Sequence, residues 1–217
     1  MRNSWVNWGR NQKSAPEQLA RPNTHDEVAK LVCLGVAKRK KIRAVGADHS
    51  FSPLCPTEGI MIDLSNFNSI TKVDTQKLQV TVGAGIRLFD LNTKLESLGL
   101  ALPNLGDIDC QSLAGAISTG THGTGLNYHS ISQAVIGLKI ITGDGGTLEC
   151  SPSQNQDLFE VARVSLGSLG VIVEITLQCV PAFHLRATEQ TTHIENVLDL
   201  FTDAIRTSDH TEFFWFP

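Results

Sequence analysis

The sequence lacks a surplus of positive charge, a long hydrophobic run and any obvious secretion signal. Lys and Arg number 18 against 22 Asp and Glu, so the formal net charge is −4 at pH 7. A nucleic-acid-binding protein needs a basic face, and the one basic cluster, 38–41, follows a predicted helix whose dipole it complements. No apolar run approaches the roughly 18 residues of a membrane span, and Met1–Trp5 has no signal-peptide core. We therefore expect no nucleic-acid partner, no membrane span and no leader.

The chain also lacks paired cysteines. Its five cysteines are odd in number and widely spaced, without a C-x-x-C motif. This pattern favours reduced thiols over a disulfide framework, and it predicts a cytoplasmic protein. The histidines show no metal-ligand spacing either, so we predict no metal site.

A small-residue loop with one histidine follows a predicted strand at 41–45. It comprises Ala44, Val45, Gly46, Ala47, Asp48, His49 and Ser50. Small side chains let the backbone pass close to a bulky ligand, and successive N–H groups in such a turn can form a concave phosphate site. From these residues alone, a strand-to-loop turn with a surface histidine is an equal alternative.

A second stretch, 104–125, is dominated by Gly, Ala, Ser and Thr. It has little charge and no proline, so it differs from a disordered linker. Its hydroxyl groups can donate to phosphate oxygens, and its glycines expose backbone N–H groups between them. The two stretches together predict a binding site for an anionic ligand.

The remaining pattern predicts an α+β protein. Thr24 and Glu27 form a capping box that starts a helix from about His25 to Arg39. Strands are expected to pair mainly through hairpins, which argues against a doubly wound sheet. Further strands are predicted at 59–64, 70–73, 78–82, 134–142, 147–150 and 171–180, and further helices at 88–98 and 157–165. Beyond Pro181 we predict a strand at 184–191, a helix from the capping box Thr192–Glu195 to Arg206, and a strand at 212–217.

One turn permits two interpretations. Val82-Gly83-Ala84-Gly85 leads from a strand into a helix, as in a dinucleotide-binding fingerprint. The third glycine position of that fingerprint is Leu88, which favours a purely structural glycine turn. A nicotinamide-binding reductase therefore stays open as a hypothesis beside the other functions considered below.

Three motifs in order resemble the flavin domain of the vanillyl-alcohol oxidase superfamily. They are V-G-x-x-H-S-F-S-P-L from Val45, L-P-N-L-G…S-x-A-G-A-x-S-T-G-T-H-G-T-G from Leu102, and G-S-L-G-V-I from Gly167. Within the superfamily the chain is most similar to the sugar lactone oxidases that act on gulonolactone and arabinonolactone, with alditol oxidases as relatives. The resemblance extends from about Asn7 to Pro217.

The resemblance implies a two-subdomain flavin-binding fold of the vanillyl-alcohol oxidase and p-cresol methylhydroxylase type. The first FAD subdomain would span 1–65 as a β-α-β-β unit with the histidine loop, and the second 66–181. Residues 182–217 would begin a substrate (cap) domain. The His-Trp-x-Lys motif that ends this cap in the family is absent from the sequence, so we expect a fragment or one half of a split protein.

The resemblance also implies FAD as cofactor. The diphosphate would lie along residues 44–50, and His49 would bond through a ring nitrogen to the flavin 8α-methyl. A second link from a cysteine, known in berberine-bridge relatives, would fall to Cys110, two residues out of register. The family usually has Ser or Thr at the position of Asp107, which puts that contact in doubt. The opposite wall would comprise Asp107, Ser112, Gly115, Thr119, Gly120, Thr121 and His122, with Ile172 near the adenine or ribose.

The activity implied is oxidation of a CH–OH group in an aldonolactone or sugar alcohol. Hydride would pass to flavin N5, and molecular oxygen would be the acceptor. The groups that activate the substrate lie in the cap of the family, so no catalytic residue is assigned in this chain. The alternative is a flavin-binding fragment or subunit without independent catalysis, which needs a missing cap domain or a partner chain.

Overall fold

The computed structural model describes residues 3–216. Met1, Arg2 and Pro217 lie outside the described residues. The predictions of no leader at the N-terminus and of a strand at 212–217 fall partly on these residues. In chain order the strands are β1 (Trp5–Val6), β2 (Lys13–Ser14), β3 (Gln18–Ala20), β4 (Ile42–Val45), β5 (Ile60–Asp63), β6 (Ile70–Asp74), β7 (Gln79–Gly83), β8 (Leu100–Ala101), β9 (Val135–Ile141), β10 (Thr147–Cys150), β11 (Val171–Gln178) and β12 (Val180–Pro181). The helices are α1 (His25–Ala37), α2 (Leu88–Ser97), α3 (Leu113–Ser118), α4 (Gln156–Ala162) and α5 (Ile194–Thr207).

Helix α1 begins with the predicted capping box. The Thr24 hydroxyl accepts a hydrogen bond from the Glu27 N–H at 3.2 Å, and the Glu27 carboxylate accepts one from the Asn23 N–H at 2.7 Å. The helix ends two residues before the predicted Arg39, because Arg39 adopts a left-handed φ of 53°. The chain then turns into β4, which leads to the histidine loop.

Two larger sheets carry the fold. The first is a three-stranded parallel sheet in the order β3-β5-β4, and α1 connects β3 to β4. The second is a five-stranded antiparallel sheet in the order β10-β9-β11-β7-β6. The hairpins β6-β7 and β9-β10 confirm the expectation that strands pair through short turns.

One hydrophobic core includes side chains from both sheets. Val28 and Val32 of α1, Ile62 of β5, Val82 of β7 and Ile175 of β11 all belong to it, and each is almost fully buried. A smaller cluster of Trp5, Val45 and Met61 packs on the parallel sheet. The boundaries at 65 and 181 stay predictions.

Two predictions beyond Pro181 are wrong, and a third is wrong in part. Residues 184–191 and 212–216 form no strand, and neither segment pairs with a described strand. Helix α5 exists, but its N-cap is His193 and no side chain caps it, so the capping box at Thr192 does not form. A strand needs a hydrogen-bonded neighbour, and these segments lie exposed without one.

Helix α3 was not expected, because no helix was predicted within the stretch 104–125. Its sequence, Leu-Ala-Gly-Ala-Ile-Ser, is too short and too rich in small residues to give a clear helical pattern. Tertiary packing stabilises it, since Leu113, Ala116 and Ile117 are fully buried.

Among residues 3–216, no helix has the length and apolar character needed to cross a bilayer.

Candidate functional site

A cavity of about 460 Å³ lies between the histidine loop and α3. It is closed on a third side by residues 166–172 at the start of β11. The structure thus brings several segments of the predicted site together around one cavity. The predicted site residues that line this cavity are Ala44, Val45, Gly46, Ala47, Asp48, His49, Ser50, Ser112, Gly115, Thr119 and Ile172.

The two loops touch where Gly46 meets Ser112. A Cβ atom at Gly46 would overlap the Ser112 hydroxyl, so only glycine permits this approach. Ser112 is itself buried and caps α3, because its hydroxyl accepts a hydrogen bond from the Gly115 N–H at 3.4 Å. The cavity is thus walled by backbone that lies close together because its side chains are small.

The glycine turn between β7 and α2 has a structural role. A Cβ at Gly85 would overlap the Leu64 carbonyl oxygen, so the turn packs directly on the backbone that follows β5. Its carbonyl groups also hold the start of α3: Leu113 N–H donates to Ile86 at 2.8 Å and Ala114 N–H donates to Ala84 at 3.0 Å. The turn therefore supports the wall of the cavity.

A second cavity of about 230 Å³ adjoins the first beside His49. Asp107, Thr121 and His122 line this second cavity rather than the first. His49 and Gln111 line both, so they stand where the two cavities meet. The other lining residues of the second cavity are Trp8, Phe51, Gly106 and Ile108.

Some predicted site groups already have partners inside the protein. The Thr119 hydroxyl donates to the Gly115 carbonyl at 3.0 Å, so its proton is not directed into the cavity. His122 Nδ1 lies 2.9 Å from the Gly123 carbonyl oxygen. Gly120 lines neither cavity; its φ of 69° redirects the chain after α3. Cys110, the alternative attachment residue, is exposed and lies in neither lining.

The histidine loop is held in an unusual backbone conformation. Asp48 has a left-handed φ of 61°, and the Trp5 indole N–H donates to its carboxylate at 3.0 Å. Burial raises the pKa of Asp48, and the negative charge of Asp63 adds to this, while the Trp5 hydrogen bond opposes it. His49 stacks on Trp8, with ring centroids 5.1 Å apart and planes inclined by 18°.

Arg43 supplies a positive charge to the wall of the first cavity. Its Nε atom is buried and has no hydrogen-bond partner among the described residues. A buried donor without a hydrogen-bond partner costs free energy, so a ligand that brings an acceptor group to Arg43 would be favoured here.

Cys55 lines the same cavity, and burial raises the pKa of its thiol, with a further contribution from Asp48.

The third wall was only partly anticipated. Residues 166–170 line the first cavity, yet the sequence argument assigned only Ile172 from this region. Leu166, Gly167 and Gly170 all have positive φ, at 53°, 70° and 139°. The G-S-L-G motif was the available signal, because two glycines so close together indicate a turn of this kind.

The comparison with known protein families decides the class of ligand. The sequence profile of the family described as FAD binding domain matches residues 16–151, which is more than half of the chain. The chain belongs to this FAD-binding family. The residues present fit the cofactor, because small and hydroxyl side chains line the cavity together with Arg43, whose Nε has no hydrogen-bond partner within residues 3–216. A second profile, described as D-arabinono-1,4-lactone oxidase, matches residues 175–217.

Similar proteins agree with this FAD-binding family. L-gulonolactone oxidase from Bos taurus is 42% identical over 97% of this chain and 48% of its own length. L-gulono-1,4-lactone dehydrogenase from Mycobacterium tuberculosis is 38% identical over 98% of this chain and 49% of its own length. The chain thus spans about half the length of these curated relatives.

The solved structures confirm the predicted fold. The chain is similar to 6-hydroxy-D-nicotine oxidase from Arthrobacter nicotinovorans, with a TM-score of 0.70 and 25% identity over 75% of this chain and 36% of that one. The α+β fold of vanillyl-alcohol oxidase type is therefore correct. Membership of the FAD-binding family, together with the packing of Gly85 on Leu64, favours the structural interpretation of the glycine turn over the nicotinamide hypothesis.

Proposed function

We propose that this chain is the flavin-binding part of a sugar lactone oxidase. The contact of Gly46 with Ser112 carries the proposal, because it brings the histidine loop and the start of α3 together beside the first cavity in a member of the FAD-binding family. The substrate would be an aldonolactone or a sugar alcohol, oxidised at a CH–OH group. Support comes from relatives named for gulonolactone and arabinonolactone.

The diphosphate of FAD would lie along residues 44–50 and α3 in the first cavity. Backbone N–H groups of the histidine loop would donate to it, and the guanidinium of Arg43, which lines this cavity, would add a positive charge. The small side chains of Gly46 and Gly115 allow this approach. The flavin ring would extend past His49 toward the second cavity.

When bound, FAD would accept a hydride from the substrate carbon and deliver the electron pair to dioxygen, which leaves as hydrogen peroxide. The substrate would lose its hydroxyl proton and become a carbonyl compound. The residues of this chain would bind and orient the cofactor and exclude water from it. No general base is assigned among them.

His49 would also attach the cofactor covalently. A bond would form between a ring nitrogen of His49 and the 8α-carbon, as the N–H bond and one C–H bond of the methyl group break. The two protons and two electrons released would reach dioxygen as hydrogen peroxide. Support for this bond comes from the position of His49 where the two cavities meet.

The proposed activity is tested by assaying the purified protein with a panel of aldonolactones and polyols. Peroxide formation with a lactone in air supports the oxidase, whereas reduction of a dye without peroxide indicates a dehydrogenase. Flavin bound without turnover of any substrate would favour the flavin-binding subunit, which at present has no better support than the oxidase. A protein that binds no FAD would overturn the proposal.

A further inference from the structure

Trp8 is the residue whose side chain lies on the ring of His49. The two rings are stacked at 5.1 Å with an angle of 18°. Trp8 is 62% exposed, so burial alone does not hold it there. Its backbone N–H donates to the Asp48 carbonyl at 2.9 Å, which ties it to the residue before His49.

The segment Trp5–Gln12, here called the N-terminal clamp, holds the histidine loop from both sides of His49. Before the histidine, the Trp5 indole N–H donates to the Asp48 carboxylate at 3.0 Å. After it, the Asn7 amide donates to the Ser50 carbonyl at 2.9 Å and the Gln12 amide to the Phe51 carbonyl at 3.1 Å. These hydrogen bonds engage the neighbours of His49 and fix the backbone, while the stack on Trp8 fixes its ring.

This arrangement controls which part of the imidazole a ligand can reach. The indole covers one face of the ring, so approach is left to the ring edge and the opposite face. Because His49 lines both cavities and Trp8 lines only the second, the stack holds the imidazole at their junction. The left-handed Asp48 needs such a surrounding frame to persist.

We propose that Trp8 is the positioning residue that aims His49 at the flavin 8α-carbon. This inference rests on the proposed function, and specifically on the covalent bond described there. Trp8 would act through His49, since it holds one ring orientation before the bond forms. Reactions between bound groups depend steeply on such orientation.

The test measures the rate of covalent attachment apart from the binding of FAD. Apoprotein produced under riboflavin limitation is incubated with FAD, and acid-stable flavin is followed over time in the precipitated protein. The variants are Trp8→Ala, Trp8→Phe and His49→Ala. Trp215→Ala is the matched control, because Trp215 is similarly exposed at 64% and lies in the C-terminal segment. Reversible FAD binding is measured separately by ultrafiltration.

Trp8→Ala is expected to slow attachment by about tenfold, the upper range for the loss of one aromatic stack, when each variant is measured at an FAD concentration that saturates its binding. Trp8→Phe keeps a stacked ring and should restore much of the rate, and Trp215→Ala should match wild type. His49→Ala should bind FAD without any acid-stable flavin.

Equal rates in wild type and Trp8→Ala would overturn the positioning role alone. A Trp8→Phe variant that binds FAD but attaches it about tenfold more slowly than wild type would overturn the stacking mechanism. This comparison with wild type holds even if Trp8→Ala fails to fold. Wild type that binds FAD without acid-stable flavin would overturn both the bond and this role. Wild type that binds no FAD at all would overturn the proposed function as well.

Discussion

The backbone of Gly46 lies directly against the Ser112 hydroxyl, and this contact joins two segments that are 66 residues apart in the chain. Gly46 follows β4 of the parallel sheet, and Ser112 caps α3, whose first N–H groups donate to the turn that follows β7. The contact therefore sets the distance between the two walls of the first cavity. Any change in that distance should alter FAD binding.

The Gly46→Ala substitution should open this contact. The new methyl group would overlap the Ser112 hydroxyl, and overpacking of this kind costs about 1–3 kcal/mol. We expect a lower melting temperature and FAD binding weakened at least about tenfold, measured by quenching of flavin fluorescence. Adding Ser112→Gly should recover part of the loss.

The matched control for this change is Gly137→Ala. Gly137 lies in β9, outside both cavities, and a Cβ there would make ordinary contact with Thr176. It should leave FAD binding unchanged. If Gly46→Ala bound FAD as tightly as the control, the contact would not define the site.

The positive charge of Arg43 should stabilise the bound diphosphate of FAD. Arg43→Gln keeps a polar side chain but removes the positive charge, and a hydrogen bond to a charged group contributes about 1.5–3 kcal/mol. FAD binding should weaken by about tenfold or more, and the effect should shrink at high salt because screening already weakens the pair. Arg186→Gln, in the exposed segment after β12, serves as the control. Normal binding of FAD by Arg43→Gln at low salt would indicate that the phosphates bind elsewhere.

Asp48 should make the FAD-free protein less stable as the pH rises. Burial raises its pKa in the folded state, so the folded protein holds this proton at a pH where the unfolded chain has lost it. The stabilisation from this group is fully present below the ordinary pKa of aspartate and is lost as the pH rises through the higher folded value. Asp48→Asn, which tolerates the left-handed φ, should melt a few degrees higher at pH 7 and show no gain in acid.

Asp144→Asn supplies a control of opposite sign for this pH effect. The Thr142 hydroxyl and the Gly146 N–H donate to the Asp144 carboxylate and hold its pKa below the usual value. That stabilisation is present above the ordinary carboxyl range and is lost as the pH falls through the lowered folded value. Asp144→Asn should therefore melt lower than wild type at pH 7. The same direction of change for both variants at pH 7 would contradict the assignment.

Cysteine labelling should report on occupancy of the first cavity. Cys55 lines this cavity, whereas Cys33 is exposed at α1, away from it. Burial raises the pKa of Cys55, so it should react with an alkylating reagent more slowly than Cys33 even without ligand. Added FAD should slow labelling of Cys55 further and leave Cys33 unchanged, as mapped by peptide mass spectrometry. Equal protection of both thiols would point to a general change in stability.

The same labelling experiment has an internal reference. Burial raises the pKa of Cys179 to about 11, and Cys179 belongs to the hydrophobic core. It should remain unlabelled at pH 8 until the protein is unfolded, with or without FAD. Rapid reaction of Cys179 in the folded protein would contradict the packing of the strands around it.

Most of the helices and strands were predictable because their signals lie within short stretches of neighbouring residues. The capping box at Thr24 and the strand predicted at 171–180 depend on neighbouring residues, and both are confirmed. The strand at 184–191 was wrong because a strand also needs a partner, which its own sequence does not reveal. Helix α3 was missed because burial of Leu113 and Ile117, and not intrinsic propensity, stabilises it.

The sequence indicated which segments line the site but not how those segments are arranged in space. Small residues in the two loops indicated close approach, and the structure brings those loops together at Gly46 and Ser112. The division into two cavities at His49 and Gln111 depends on tertiary contacts, among them the Trp8 stack. The roles of the individual residues toward FAD stay predictions.

Hydrogen exchange with and without FAD, followed by mass spectrometry, tests most directly whether the cofactor lies in this cleft. The account predicts that FAD, at a concentration just sufficient to occupy the wild type, slows exchange in peptides covering 44–50, 112–119 and 166–172. Gly46→Ala should lose this protection at the same FAD concentration. Protection confined to other segments, or protection of the wild-type segments that survives in Gly46→Ala, would contradict it.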